Sequence, residues 1–211
     1  MLAPKDTPRK AASGWRLGLL GLAFLCSGIA GLIYQIAWQR LLFATFGVDL
    51  ISVTIIVSTF MLGLGLGALA GGRLGDRYPA AALRIFALCE ILIGAFGLIS
   101  SPLIRTLGLW LTDASFTVSA IANFLLVLIP TTLMGATLPV LIAYLARAWH
   151  NVGMATGHLY AINTVGAMLG SVLTVFWLFH ILELDQTIHL AALINISVAA
   201  LVTVALRTHA A

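Results

Sequence analysis

Along most of the chain apolar residues run on for longer than a soluble helix would need, and polar residues gather in short clusters between the runs. A helix crossing a bilayer takes about 20 predominantly apolar residues. Six stretches reach that length, at about 17–44, 50–72, 82–104, 118–146, 153–180 and 187–206. The first, fourth and fifth exceed it, which predicts tilting, bending or protrusion. The pattern therefore predicts an all-α integral membrane protein. It would be a six-transmembrane-helix bundle forming one domain over 17–206, with a basic tail at 1–16 and a short end at 207–211. Between the third and fourth runs, Arg105–Asp113 carries Trp110 among leucines and predicts a short segment lying at the interface.

Within the second run, Gly63, Gly67 and Gly71 recur every fourth residue and form one smooth stripe on a helix. Small residues at that spacing let a second backbone approach, which is how helices associate where lipid removes the hydrophobic drive. Gly166 and Gly170 repeat the spacing in the fifth run. Gly65-Leu-Gly67-Ala-Leu-Ala70 also matches a dinucleotide fingerprint. That fingerprint needs a strand before it and a βαβ unit around it, so here it is spurious and no cofactor is expected.

Composition sharpens the membrane reading. The chain of 211 residues is 61% hydrophobic and 9% charged, whereas soluble domains carry about 25% charged residues. Too little polar sequence remains to cover a soluble core. The net charge of +4 comes from cations scattered between apolar runs, which argues against a nucleic-acid surface and for orientation signals. With the N-terminus inside, Lys5, Arg9, Lys10, Arg16, Arg73, Arg77, Arg84, Arg147 and Arg207 fall on the cytoplasmic side; Arg40 and Arg105 fall at the outer end. This places both termini in the cytoplasm of a plasma (inner) membrane protein. The apolar run after the basic tail continues to about Phe43, too long for a signal-peptide core of about 7–15 residues, and reads as an uncleaved first helix. Asp49, Asp113, Glu183 and Asp185 collect on the outer side. Cys26 and Cys89 read as free thiols within apolar spans.

Polar groups inside the runs are the candidates for function, because burying them in lipid is costly. Glu90 is the one acid near the middle of a run. Charged at a span centre, it would cost about 2.5–3.5 kcal/mol on insertion scales, so it should face the bundle, be held protonated or be paired. The candidate intramembrane polar site comprises Tyr34, Gln35, Arg40, Glu90, Asn123, His158 and Asn163; either a packing network or a functional site fits them. Pro130 and Pro139 bracket Thr131, Thr132, Gly135 and Thr137, as a simple kink or as a broken helix lining a site. His150, His158, His180, His189 and His209 fall on different ends or sides, so no metal site is expected.

Gly72-Arg73-Leu-Gly75-Asp76-Arg77 resembles the loop between helices 2 and 3 of major facilitator transporters; a plain positive-inside turn reads equally well. The resemblance implies a cytoplasmic loop, in which Asp76 could cap the third helix and Arg73 and Arg77 could pair with it or with lipid phosphates. Three further motifs stand in order with it: Ser27-Gly-Ile-Ala-Gly31-Leu-Ile-Tyr34-Gln35-Ile-Ala-Trp38-Gln-Arg40, Pro130-Thr-Thr-Leu-Met-Gly135-Ala-Thr-Leu-Pro139 and Gly157-His-Leu-Tyr160-Ala-Ile-Asn163-Thr-Val-Gly166-Ala-Met-Leu-Gly170. Together they resemble the membrane domain of the fused major-facilitator/spermidine-synthase-like proteins, over about residues 20–180. The resemblance implies a bundle like one half of a major-facilitator fold. In that family an aminopropyltransferase-like domain carries a glycine-rich nucleotide loop and amine-holding acids. Neither feature occurs in this sequence, so its catalytic residues have no counterpart here. Two functions follow as expectations. One is a non-catalytic membrane module that anchors or serves a separate, soluble aminopropyltransferase-like enzyme. The other is a dimeric, transporter-like protein moving a small solute, cations included. The expected partners are the lipid bilayer and a second copy or another membrane chain.

Overall fold

Apolar runs rich in Leu, Ala, Ile and Gly, with no strand-like alternation, leave the backbone one way to satisfy its own donors and acceptors without water, the α-helix. The computed structural model describes residues 14–46 and 50–207, and among them every element is helical. The basic segment with Lys5, Arg9 and Lys10, the acid Asp49, and His209 in the chain end lie outside the described residues. Six long helices follow in order: α1 (Gly14–Phe46), α2 (Leu50–Arg77), α3 (Ala82–Trp110), α4 (Phe116–Trp149), α5 (Val152–Leu173) and α6 (Leu184–Arg207). All six are long and apolar enough to cross a membrane.

Three local expectations change. Helix α2 runs on through Gly72, Arg73, Asp76 and Arg77, so this motif is the end of a helix and not a loop. The connection that follows is one 3-10 turn, Pro79–Ala81, and α3 starts without a side-chain cap. Asp76 therefore does not cap α3, because it sits on α2 before the turn. Arg77 lies against the ring of Tyr78, 5.6 Å from its centroid. The expected interfacial segment Arg105–Asp113 is, up to Trp110, the last two turns of α3. No glycine pair or proline interrupts the run after Pro102, and the helix carries that proline without breaking.

Helix α4 likewise runs unbroken through Pro130 and Pro139. Each proline frees the carbonyl four residues back, those of Leu126 and Gly135. The neighbouring hydroxyls bond adjacent carbonyls instead: Thr131 to Val127 and Leu128, Thr132 to Leu128, Thr137 to Met134. Helix α5 widens at its end into a π-helical turn, Thr174–Leu178, before a last helical turn, Phe179–Ile181.

Packing follows the glycines. α2 lies along α4, α1 along α5 and α6, and α3 along α6 and α4. Exchanging the first three helices with the last three (α1 for α4, α2 for α5, α3 for α6) maps these five pairs onto themselves, while a further α4–α5 contact has no comparable α1–α2 counterpart. The α2–α4 and α5–α1 pairs, related by that exchange, carry the glycine stripes, and Gly94 of α3 lies against Ala192 and Ile196 of α6. A Cβ on Gly63 would stand 2.6 Å from Thr131 Cβ, on Gly67 2.8 Å from Ala136 N, and on Gly71 2.7 Å from Ala136 Cα. On α5, Gly170 would meet Ile29 Cα at 2.9 Å and Gly166 would meet Leu25 C at 3.2 Å. Outside these seams the surface is apolar, with Leu62, Leu69, Phe176 and Trp177 exposed. Buried side chains form two clusters at different heights. One includes Phe24, Phe86, Leu141 and Leu159; the other includes Tyr34, Trp38, Phe60, Ile93 and Ile188.

Candidate functional site

Between those two clusters lies the polar layer of the bundle. On α1, Ser27 falls between Phe24 and Ala30; on α3, Glu90 falls between Ala87 and Ile93; on α6, Asn195 falls between Ala192 and Val198. Glu90 is fully buried. Its Oε1 accepts a hydrogen bond from Ser27 Oγ at 2.6 Å, and its Oε2 accepts one from Asn195 Nδ2 at 2.5 Å. Three helices are thus joined through one carboxyl group. The carbonyl oxygen of Asn195 has no partner, although the residue is only 2% exposed.

No cation whose side chain is described reaches this group. Arg40, Arg73, Arg77, Arg84, Arg105 and Arg147 are all exposed. Among the described residues the ion pair is Arg105 with Asp185, at 3.0 Å, where Asp185 also accepts from Ser101 Oγ. It ties the end of α3 to the start of α6, far from Glu90 in sequence and height.

Beside the polar layer a cavity of about 350 Å³ opens between α1, α2, α4 and α5. Ser27 and Asn195, the two residues that hold Glu90, form part of its wall. Gln35, Thr137, Tyr160 and Asn163 supply further polar groups, and Phe24, Leu32, Phe60 and Met134 supply apolar ones. Leu64, Ala68 and Tyr160 line it and are exposed, so its open side runs along α2 and α5. Gly31 lines it too, with open space where a Cβ would stand. Gly28 has none, since a Cβ there would come within 2.7 Å of the Asn163 carbonyl oxygen.

The sequence-nominated polar residues divide accordingly. Glu90, Gln35 and Asn163 belong to this layer and its cavity. Tyr34 sits one step away, buried and stacked on Trp38 at 4.5 Å, its hydroxyl without a partner. Arg40, Asn123 and His158 do not belong to it. The Arg40 guanidinium lies 4.7 Å from the centroid of the Phe179 ring. Asn123 Nδ2 donates to Ser119 O of its own helix. His158 is exposed, edge-on to Trp149 at 5.4 Å. Each takes up a local partner on a different face, and none reaches Glu90. The partners that Glu90 does have were not nominated. Ser27 is small and common in such helices. Asn195 is the one amide in the last run, which is the signal that could have found it. No three of His, Cys, Asp and Glu converge to hold a metal among the described residues.

No family model and no solved structure matches the chain. Curated proteins do. It is 27% identical over 173 residues to polyamine aminopropyltransferase 1 of Streptomyces coelicolor, covering 80% of this chain and 30% of that protein. It is 26% identical over 206 residues to a polyamine aminopropyltransferase of Mycobacterium tuberculosis, covering 95% and 38%. A third, from Corynebacterium efficiens, is 28% identical over 208 residues, covering 97% and 38%. The chain is thus distantly similar, over most of its own length, to proteins named for polyamine aminopropyl transfer. It spans 30–38% of their length.

Proposed function

We propose that this chain is the membrane module of a spermidine-synthase-like system. It holds an aminopropyltransferase-like catalytic unit at the membrane and carries no aminopropyl-transfer chemistry of its own. The similarity to three polyamine aminopropyltransferases over 80–97% of the chain carries this reading. The six long apolar helices support the membrane part of it. The test is co-expression with a tagged, soluble aminopropyltransferase-like enzyme, followed by capture in mild detergent. Stoichiometric co-purification is the expected result; recovery of the enzyme alone refutes the anchoring role.

The exchange symmetry of the helix pairs favours a second reading. Inverted three-helix repeats build each half of major-facilitator transporters, whose sites lie near the midplane between repeats. On that reading the chain is one such half, acting as a dimer, and solute flux should appear in vesicles holding this chain alone.

On either reading we place the N-terminus in the cytoplasm of the inner membrane, because Arg73, Arg77, Arg84 and Arg147 belong to the helix ends on one side and only Arg40 and Arg105 to those on the other. Single cysteines placed beside Arg77 or Arg147, in a background lacking Cys26 and Cys89, should resist an impermeant thiol reagent added outside. Cysteines beside Asp113 or Glu183 should label. The reverse pattern would invert the topology.

A further inference from the structure

We propose that Glu90 is a proton-binding site, and that its proton exchanges with the cavity between α1, α2, α4 and α5 by way of the Ser27 hydroxyl. Three observations meet here. The first is isolation. Glu90 is fully buried, and no cation whose side chain is described reaches it. Burying an ionised carboxylate without a partner charge is costly, and taking up a proton removes that cost. Among the described residues, the titratable groups around it are Cys26 and Tyr34 of α1 and Cys89 of its own helix. Thiols and phenols are neutral at neutral pH, so none of them balances the charge. From α6 comes an amide, Asn195, and the arginines of α3 and α4, Arg84, Arg105 and Arg147, are exposed.

The second observation is a geometry that serves both protonation states. Ser27 Oγ lies 2.6 Å from Oε1, and Asn195 Nδ2 lies 2.5 Å from Oε2. A serine hydroxyl both donates and accepts. Ser27 can therefore donate to the carboxylate and accept from the carboxylic acid without moving a heavy atom, while Asn195 donates to Oε2 in either state. The third is a route. Ser27 is only half-buried and lines the cavity. That cavity, of about 350 Å³ and with Gln35, Thr137, Tyr160 and Asn163 in its wall, has the room and the polar partners that water needs. A proton from a hydronium there bonds to Ser27 Oγ as the hydroxyl's own proton passes to Oε1. One O–H bond breaks at Ser27, one forms in its place and one forms on Glu90, so serine ends neutral and the carboxyl group carries the proton. Such transfer needs heavy atoms within hydrogen-bond reach, and Ser27 Oγ meets that condition. A metal ion fits less well, since it wants several converging oxygens and no three of His, Cys, Asp and Glu converge among the described residues. The site needs neither a catalytic unit nor a second copy, so the failure of either functional reading would leave it untouched.

The test is infrared spectroscopy of the full chain in a neutral maltoside detergent, labelled with carboxyl-carbon-13 glutamate. The sequence holds two glutamates, Glu90 and Glu183. Glu183 is exposed, and in a Glu183→Gln background only Glu90 reports, so no Glu90 variant has to fold. At neutral pH the isotope-shifted C=O band of a carboxylic acid is expected, and a rapid jump to alkaline pH should replace it with carboxylate bands. Ser27→Ala removes the relay and should slow that replacement at least tenfold. Gly31→Leu fills the cavity from a position with nothing within 4 Å of a Cβ; it should slow the replacement likewise and leave the melting temperature unchanged. Should Ser27→Ala fail to fold, the Gly31 variant still decides. Carboxylate bands alone at neutral pH would overturn the proton site. Replacement at the unsubstituted rate in either variant would overturn the route through Ser27 and the cavity.

Discussion

Gly67→Leu should lower the stability of the bundle by about 3 kcal/mol or more, at the upper end of overpacking costs, while Gly65→Leu should change it by less than about 0.5 kcal/mol, as surface substitutions do. Two residues separate them, or about 200° around the helix. At Gly67 a Cβ would press on the Thr132 carbonyl oxygen and stand 2.8 Å from Ala136 N and 2.9 Å from Gly135 C. All three are main-chain atoms of α4, so no rotamer change relieves them and the two helices must separate. At Gly65 nothing lies within 4 Å, and the residue is exposed. Helix pairs in lipid are held by close packing and not by expelled water, so separation forfeits contacts along the whole α2–α4 seam. Melting followed by size-exclusion fluorescence in mild detergent reads both variants. Equal shifts would mean that the stripe is not a seam.

Trp38→Ala should cost about 3–5 kcal/mol, the range for removing a large buried aromatic side chain. Trp38 is fully buried and touches Tyr34, Phe60 and Phe96, with ring centroids 4.5, 6.3 and 5.5 Å away. It thereby joins α1 to α2 and α3. Its Nε1 donates to Ser100 Oγ at 2.9 Å, and Ser100 in turn donates to Gly97 O. Truncation leaves a void beside a closely packed wall, since a Cβ on Gly97 would already overlap the Tyr34 ring. Trp38→Phe keeps most of the packing and loses the bond, so its cost should be nearer 1 kcal/mol, the net worth of a typical hydrogen bond. Similar melting temperatures for the alanine and phenylalanine variants would mean that the ring's bulk carries little.

The number and approximate extent of the helices were legible because each long apolar run is bounded by charge, proline or glycine. Their ends were less so. Arg73, Asp76 and Arg77 look like a loop, but no proline falls between Gly71 and Tyr78 to stop the helix, and charged side chains at a helix end reach water without unwinding it. Trp110 looked interfacial for its chemistry, yet backbone hydrogen bonding carried α3 up to it. The site was half legible. Glu90 announces itself as an acid in an apolar run, and Gln35 and Asn163 share its layer. Which residues answer it was not readable, since Ser27 and Asn195 lie 63 and 105 positions away. Only tertiary packing brings them to one height. Arg40, Asn123 and His158 take local partners away from Glu90, a difference of face that polarity within a run does not show.

The π-helical turn at Thr174–Leu178 fits one more residue into α5 than an ordinary ladder would hold. Everything after it, including Phe179, is therefore turned by about 100° relative to the helix before it, one residue's worth of rotation. That offset is what presents the Phe179 ring to the Arg40 guanidinium. Side chains in this stretch can change while the offset survives, but chain length cannot. Losing a single residue between Val175 and Leu178 would restore the tighter ladder, swing Phe179 off α1 and re-aim the corner into α6. This corner is accordingly sensitive to insertion and deletion where the rest of the α5 surface tolerates substitution.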